Sequence, residues 1–272
     1  MKSVAAYCER IGVACELAPD LETLQLLHRS HLLAIPYENV DVQLEHKLDL
    51  DIDRIFRKLV DNRRGGWCYE MNGLLGWVLT EVGFKVTRVN GGVSRPVRGA
   101  DAMGNHLVLL VELGDQVFLV DAGFGDGVLD PVPLTEGGIQ QRGFEYRLEK
   151  LSDGYWRFHN HEHGGAPNFD FKEVPADELL FSEKCEYLQT SPESPFVIAL
   201  VVQRFTENGY EVQIGKHART ISPSGVVTRE IQSADELVDR LASAFGLEVP
   251  EIADIWPKIC QRHEEHFGGG GD

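Results

Sequence analysis

The sequence predicts an α+β protein: a helical first part, an antiparallel sheet or barrel in the middle, and a mixed final third. Three observations carry this. Apolar residues recur at helical spacing as far as Gly83, the period then changes from 3.6 to 2, and turn signals punctuate the alternating runs that follow. The expected units are 1–83, 84–195 and 196–272. A length of 272 residues suits about two compact units sharing or splitting a core.

The first helix is expected from Ser3 to Ile11, closed by Gly12. A second starts at Leu21 after the capping Asp20 and ends near Leu33, because a residue before proline, here Ile35 before Pro36, avoids helical angles. A third covers 52–60, with Ile52, Ile55, Phe56 and Leu59 on one stripe. The fourth starts at Cys68, carries Leu74, Leu75, Trp77, Val78 and Leu79, and stops before Gly83. Beyond it, residues 84–89, 106–113 and 116–121 alternate as strands, and 144–151 with 155–161 flank a turn at Ser152-Asp153-Gly154. In the final third, 196–205 and 210–214 read as strands around Asn208-Gly209. Ser233 and Glu236 form a capping box for a helix reaching Phe245. A last helix is expected near Pro250, interrupted at Pro257, and the glycines from Gly268 read as a flexible end.

Acidic residues outnumber basic ones, 43 to 26, for a net charge of −17. Such a surface repels nucleic acid, and an anionic ligand would need a local set of arginines and backbone amides. The first ten residues lack a secretory h-region, and no window approaches the roughly 18 apolar residues of a membrane helix. Five cysteines, at 8, 15, 68, 185 and 260, are scattered without a CxxC pair. That pattern predicts reduced thiols in a cytoplasmic protein.

The chemistry centres on Arg64-Gly65-Gly66-Trp67-Cys68-Tyr69-Glu70-Met71-Asn72-Gly73. A thiol at a helix start faces unpaired N–H groups and the positive end of the helix dipole. Both favour thiolate, the nucleophilic form; the competing reading is a small apolar core cysteine. A nucleophile needs a base, and the base an orienter. Among ten histidines, His106 heads an apolar strand, and Asp121 ends the next one, where an unpaired carboxylate is costly to bury. If Gly114-Asp115 is a two-residue turn, Leu113 pairs with Gln116 and Asp121 falls opposite Val108. Val108 shares a face with His106, so the two are diagonal neighbours with Cα atoms roughly 7–8 Å apart. A one-residue slip would separate them. Taken singly, His106 could be a core histidine and Asp121 a turn residue. Together with Cys68 they predict a Cys-His-Asp site.

Three further clusters compete for attention. The segment 91–104 holds Arg95, Arg98 and four glycines, including Gly104; such a loop can build anion-binding nests or be only a solvated connection. His159, His161 and His163 would share a strand face if the strand persists, but zinc ligands generally come from more than one element, and no metal is expected. Cys260, His263 and His266 lie on one side of the last helix, beside Glu264 and Glu265, and read as a solvated terminus.

The nucleophile segment resembles the arylamine N-acetyltransferases, whose pattern is Arg-Gly-Gly-x-Cys-x-Glu-x-Asn. The resemblance extends back through Arg10-Ile11-Gly12, His28 and Ile35-Pro36-Tyr37-Glu38-Asn39-Val40, and forward through Asn105-His106-Leu107 and Val120-Asp121-Ala122-Gly123-Phe124-Gly125. It covers the first 125 residues or so; Tyr37 stands where the family usually has Phe.

The resemblance implies a papain-like triad of Cys68, His106 and Asp121 on a helical domain, a β-barrel domain and a C-terminal α/β domain. It also implies ping-pong transfer of acetyl from acetyl-CoA, as cosubstrate, to arylamines, arylhydrazines or arylhydroxylamines. Water must lose the competition for the acetyl group, so an apolar pocket is expected, with Tyr37, Val93 and Phe124 as wall candidates. Arg95, Arg98 and Gly104 are the candidates for the CoA phosphates. Arg64 and Glu70 read as scaffold, through a buried Arg–carboxylate contact that fixes the Gly-Gly turn. Competing classes are an amide synthase or thiol hydrolase with the same triad, and a non-catalytic binding module. The partner expected is a small aromatic amine or hydrazine.

Overall fold

The architecture is that of a computed structural model, which describes residues 2–267. The glycine tail therefore lies outside the described residues. Helix α1 (Val4–Ile11) is capped by Ser3, whose Oγ accepts from the Ala6 N–H, and leaves through the left-handed Gly12 at φ 73°. In α2 (Leu21–Ala34) Asp20 accepts from the Thr23 N–H at 2.8 Å. A short strand β1 (Tyr37–Glu38) and helix α3 (Val40–Gln43) follow. The expected third helix is α4 (Ile52–Phe56), which widens into a π-helical turn (Arg57–Asp61). Helix α5 (Cys68–Val82) ends at Gly83 with φ 106°. Its apolar residues surround the axis rather than forming a stripe, and Leu74, Leu75, Val78 and Leu79 are wholly buried, as in a core helix.

The middle of the chain forms an eight-stranded antiparallel sheet, curled into a nearly closed barrel. Its strands are β2 (Lys85–Val93), β3 (His106–Leu113), β4 (Gln116–Val120), β5 (Val132–Pro133), β6 (Gly137–Gln141), β7 (Phe144–Lys150), β8 (Trp156–His159) and β9 (Asn168–Phe171). They lie in the order β5-β4-β3-β2-β9-β8-β7-β6. Leu113 pairs with Gln116 and Leu109 with Val120, the register the two-residue turn predicts. Helix α6 (Arg95–Arg98) with a 3-10 turn (Gly99–Ala102) occupies much of the expected β2–β3 loop. Helix α7 (Glu178–Thr190), in a stretch read as sheet, buries only Phe181, Cys185 and Leu188. Those three have helical spacing, but so sparse a stripe is weak against the polar residues around it.

The C-terminal third does not make its sheet alone. The five-stranded sheet runs β1-β10-β11-β12-β13, with β10 (Val201–Thr206), β11 (Gly209–Ile214), β12 (His217–Ser222) and β13 (Gly225–Glu230). Tyr37 of β1 pairs with Gln203 of β10, so a strand from the first 83 residues borders the last third. The strand expected from 196 starts only at Val201, because Ser194 caps a short helix α8 (Pro195–Ile198) with Pro195 at its first turn.

Ser233 caps α9 (Ala234–Phe245), accepting from the Glu236 N–H, while Glu236 accepts from Gln232 rather than from the capping residue itself. A 3-10 turn (Pro250–Ile255) leads into α10 (Trp256–Phe267). Pro257 sits in the first turn of α10, where its missing N–H costs nothing, so it opens that helix instead of interrupting it. The main core joins α1, α2, α5 and the barrel. A second core, including Leu200, Val202, Ile231, Leu237, Leu241 and Phe245, seats α9 on the smaller sheet. Each fully buried Leu or Phe there stabilises the fold by roughly 1.5–3 kcal/mol.

Candidate active site

The turn before Cys68 is held by the segment around Pro36. Gly66 N–H donates to the Pro36 carbonyl (3.2 Å), and Glu38 N–H donates to the Gly66 carbonyl (3.0 Å). A Cβ on Gly65 would lie 2.2 Å from the Pro36 oxygen, and one on Gly66 would lie 2.7 Å from the Glu70 Cβ. Neither glycine has a positive φ; the left-handed residue of this turn is Arg63, at φ 52°. Close approach is what demands the Gly-Gly pair.

The buried Arg–carboxylate contact beside the Gly-Gly turn is present, with Glu38 as the carboxylate. Arg64 pairs with Glu38 (2.9 Å) and Asp41 (3.2 Å), and Lys58 pairs with Asp41 (2.7 Å) and Glu70 (2.9 Å). Burial pushes Glu70 up to about 7, opposed by the Lys58 ammonium. Glu70 also accepts from the Trp67 N–H at the helix start. Arg10 ties this region together through the carbonyls of Leu59 and Ala34, each at 2.9 Å.

Cys68 is the first residue of α5, and Asn72 lies one turn further along the same face. His106 opens β3, and Asp121 follows the end of β4. His106 Nε2–H donates to Asp121 Oδ2 at 2.7 Å, and both residues are buried. The other carboxylate oxygen, Oδ1, accepts from Asn72 Nδ2 (2.7 Å) and from the Gly123 N–H (2.8 Å). Asn72 Nδ2 also donates to the Leu107 carbonyl (2.6 Å), and its Oδ1 accepts from the Ala122 N–H (2.8 Å). Buried His28 completes the frame: Nδ1–H donates to the Leu129 carbonyl at 2.8 Å, and Nε2 accepts from the Asp121 N–H. Burial lowers the His28 pKa, which disfavours a charge on that ring.

Among the described residues His106 Nδ1 has no hydrogen-bond partner, and His106 lines the same cavity as Cys68. Gly123 packs directly on Cys68; a Cβ there would lie 2.8 Å from the Cys68 Cα.

Burial pushes the Cys68 thiol up, while the N–H groups of Leu107 and Tyr69 pull it down. The N–H at the helix start thus acts in the direction the sequence argument gives, and burial acts against it. A thiolate in this site needs a compensating cation, and imidazolium held against Asp121 is the one at hand.

Tyr37, Val93 and Phe124 all line the cavity that Cys68 and His106 open into, with a volume of about 240 Å³. Phe124 and Phe169 flank the His106 ring at 5.8 and 5.0 Å between centroids. The sequence reading missed Phe196, Asp126 and Gln203 on the same wall. Asp126 lies five residues beyond Asp121 and was within reach of motif reading. Gln203 comes from a distant strand that nothing local marks.

Arg95, Arg98 and Gly104 do not line this cavity. Arg95 is committed to Asp170 (2.8 Å) and Asp153, with its guanidinium over the Tyr155 ring at 3.8 Å. Arg98 is exposed, and among the described residues its side chain makes no hydrogen bond or ion pair. Gly104 takes φ 83°, and its carbonyl accepts from the Tyr69 hydroxyl at 2.6 Å.

The strand with His159 ends there, so His161 turns inward against Tyr210 and Phe144. No group of three or more His, Cys, Asp or Glu among the described residues is placed to hold a metal. His263 is not solvated as expected but is buried against His217. None of the helices described is long and apolar enough to cross a membrane.

Comparison with known proteins places this geometry in context. A family model described as N-acetyltransferase matches residues 20–255. An arylamine N-acetyltransferase of Mycolicibacterium smegmatis is 34% identical over 268 residues, covering 95% of this chain and 97% of that one. An arylamine N-acetyltransferase / N-hydroxyarylamine O-acetyltransferase of Salmonella typhimurium is 29% identical, covering 90% of this chain and 87% of that one. The solved M. smegmatis arylamine N-acetyltransferase matches with a TM-score of 0.86 at 32% identity, covering 96% and 98% of the two chains. The Mycobacterium marinum arylamine N-acetyltransferase in complex with CoA matches with a TM-score of 0.85 at 28% identity, covering 97% and 99%.

Proposed function

The chain belongs to the arylamine N-acetyltransferase family, and from that membership and the site's geometry we propose that Cys68, His106 and Asp121 pass acetyl from acetyl-CoA to an arylamine, arylhydrazine or arylhydroxylamine. One observation supports the assignment of roles most strongly. A buried His106–Asp121 pair and a helix-start thiol share one largely apolar cavity.

The Cys68 thiolate, paired with His106 imidazolium, attacks the thioester carbonyl. The oxyanion that forms is met by backbone N–H groups at the start of α5. When the carbon–sulfur bond to CoA breaks, the departing thiolate takes the imidazolium proton, leaving acetyl-Cys68 and neutral His106. The acceptor nitrogen then attacks the acetyl carbon, His106 Nδ1 receives its proton, and the Cys68–acetyl bond breaks to restore the ion pair. Asp121 keeps Nε2 protonated throughout, so Nδ1 is always the nitrogen left free to exchange the proton. The aromatic wall keeps water scarce while acetyl-Cys68 waits.

For CoA, the segment 91–104 remains the proposed phosphate contact. Arg98 is its free cation, and Arg95 anchors the segment through Asp170. A reducing, cytoplasmic setting belongs to the same reading, supported by five free thiols that include the nucleophile.

Initial rates with acetyl-CoA and aniline varied together test the scheme. A covalent intermediate gives parallel double-reciprocal lines and at most one equivalent of CoA released without amine. Intersecting lines would contradict the intermediate. Sustained CoA release without amine would favour a thiol hydrolase using the same three residues.

A further inference from the structure

Away from the reacting residues, the cavity is polar on one wall only. β1 and β10 pair with Tyr37 opposite Gln203, so both side chains leave the same face of the sheet, and both line the cavity. Gly125 sits between them: a Cβ there would lie 1.9 Å from Gln203 Oε1 and 3.6 Å from Tyr37 Cγ. Gly165 lies on the other side, where a Cβ would be in ordinary contact with Gln203 Nε2 at 3.7 Å.

Gly125 thus leaves the space this amide occupies. Gln203 is only 7% exposed, yet among the described residues its side chain makes no hydrogen bond. Its amide lines the cavity rather than being sealed in the core, so it is open to pair with a ligand there. The Tyr37 hydroxyl is in the same condition.

Beside them, Asp126 is 2% exposed and its two oxygens are already engaged, by Asn160 Nδ2 (2.9 Å) and by the Gly165 N–H (2.6 Å). No Lys or Arg lines the cavity to offset that carboxylate. The electrostatics of the wall therefore favour a neutral group that can both donate and accept, and disfavour an anion. At about 240 Å³ the space suits a single substituted ring.

We propose that Gln203, with Tyr37, recognises the acceptor by hydrogen-bonding an uncharged polar substituent on its ring, such as a carboxamide, while the Asp126 carboxylate turns ring carboxylates away. This rests on the acetyl-transfer reading of the site and specifies which acceptors it takes.

The test compares aniline, 4-aminobenzamide and 4-aminobenzoate as acceptors for wild type, Gln203→Leu and Asp126→Asn. Each value of kcat/KM is expressed as the ratio of variant to wild type for one acceptor, which cancels the differing nucleophilicity of the amines. Acetyl-enzyme formed from acetyl-CoA without amine is measured on each protein first.

Loss of hydrogen bonding to the amide is expected to lower the Gln203→Leu ratio for 4-aminobenzamide roughly tenfold below that for aniline. Asp126→Asn is expected to raise the 4-aminobenzoate ratio above the aniline ratio. Equal ratios for all three acceptors, with acetyl-enzyme formed normally, would overturn the recognition role and leave the transferase intact. A wild type that forms no acetyl-enzyme overturns the transferase reading and this inference together. Gln203→Met, of similar length and without the amide, supplies the same comparison should the leucine variant not fold.

Discussion

Asn72 holds Asp121 in place: its Nδ2 donates to Asp121 Oδ1 over 2.7 Å, from a position one helical turn beyond Cys68. The helix that presents the nucleophile therefore also presents the group that orients the base's carboxylate. Cys68, Asn72, Asp121 and His106 form one connected unit, with the Leu107 and Ala122 backbone bonded to the same amide.

Removing that amide leaves a buried carboxylate oxygen and a carbonyl short of a donor. Asn72→Ala is expected to destabilise the protein by about 1–3 kcal/mol. It should also slow acetyl-enzyme formation more than the stability change alone explains. Denaturant melts and a stopped-flow acetylation assay read the two effects separately. An Asn72→Ala variant with a normal acetylation rate would reduce the amide to a packing role.

The second expectation concerns pH. Burial raises the Cys68 thiol, so the thiolate must be stabilised by the imidazolium of His106. Iodoacetamide should alkylate wild-type Cys68 at nearly full rate at neutral pH. In His106→Asn the buried thiol loses its cation, and the midpoint of alkylation should move above the free-thiol value of about 8.5. An unchanged profile would place the source of activation in the helix start instead.

Arg64 lies apart from the chemistry and close to the fold. Its side chain, 15% exposed, neutralises Glu38 and Asp41 beside the Gly65-Gly66 turn. Arg64→Ala leaves the buried Glu38 without its ion-pair partner, while Lys58 still pairs with Asp41, and should cost about 3–5 kcal/mol in urea unfolding. A loss under about 1 kcal/mol would class the pair with exposed salt bridges.

Asp126 provides a linkage test with a definite sign. Burial raises its carboxyl to about 6, so the native state holds a proton more tightly than the unfolded chain does. The group's favourable contribution is whole below its unfolded pKa and is lost as pH rises through about 6. Wild type should therefore lose stability relative to Asp126→Asn between pH 4 and pH 7, by at most about 3 kcal/mol. A stability difference that stays flat across that window would mean the carboxylate is well solvated.

The juxtaposition of His106 and Asp121, and the place of Cys68 at a helix start, were legible because each is tied to a local pattern. Cys68 follows a Gly-Gly turn at a helix start, and the Gly114-Asp115 turn sets the register that brings Asp121 to His106. What surrounds them was not legible, because its contacts are long-range. Gln203 reaches the cavity only because β10 pairs with a two-residue strand at Tyr37, too short to show a period. Arg64 was recognised as scaffold held by a carboxylate, but that the carboxylate is Glu38, 26 residues earlier, needed the folded chain. Helix α7 was missed because its buried face is only three residues.

The central claim is that acetyl rests on Cys68 between the two half-reactions. Intact mass spectrometry of wild type and Cys68→Ala, each mixed with acetyl-CoA in the absence of amine, tests it most directly. The account predicts a single acetyl addition on wild type alone, mapped to Cys68 and discharged on adding aniline. Acetyl-CoA-dependent acetylation of aniline by Cys68→Ala at a rate near wild type, with no adduct on either protein, would contradict it.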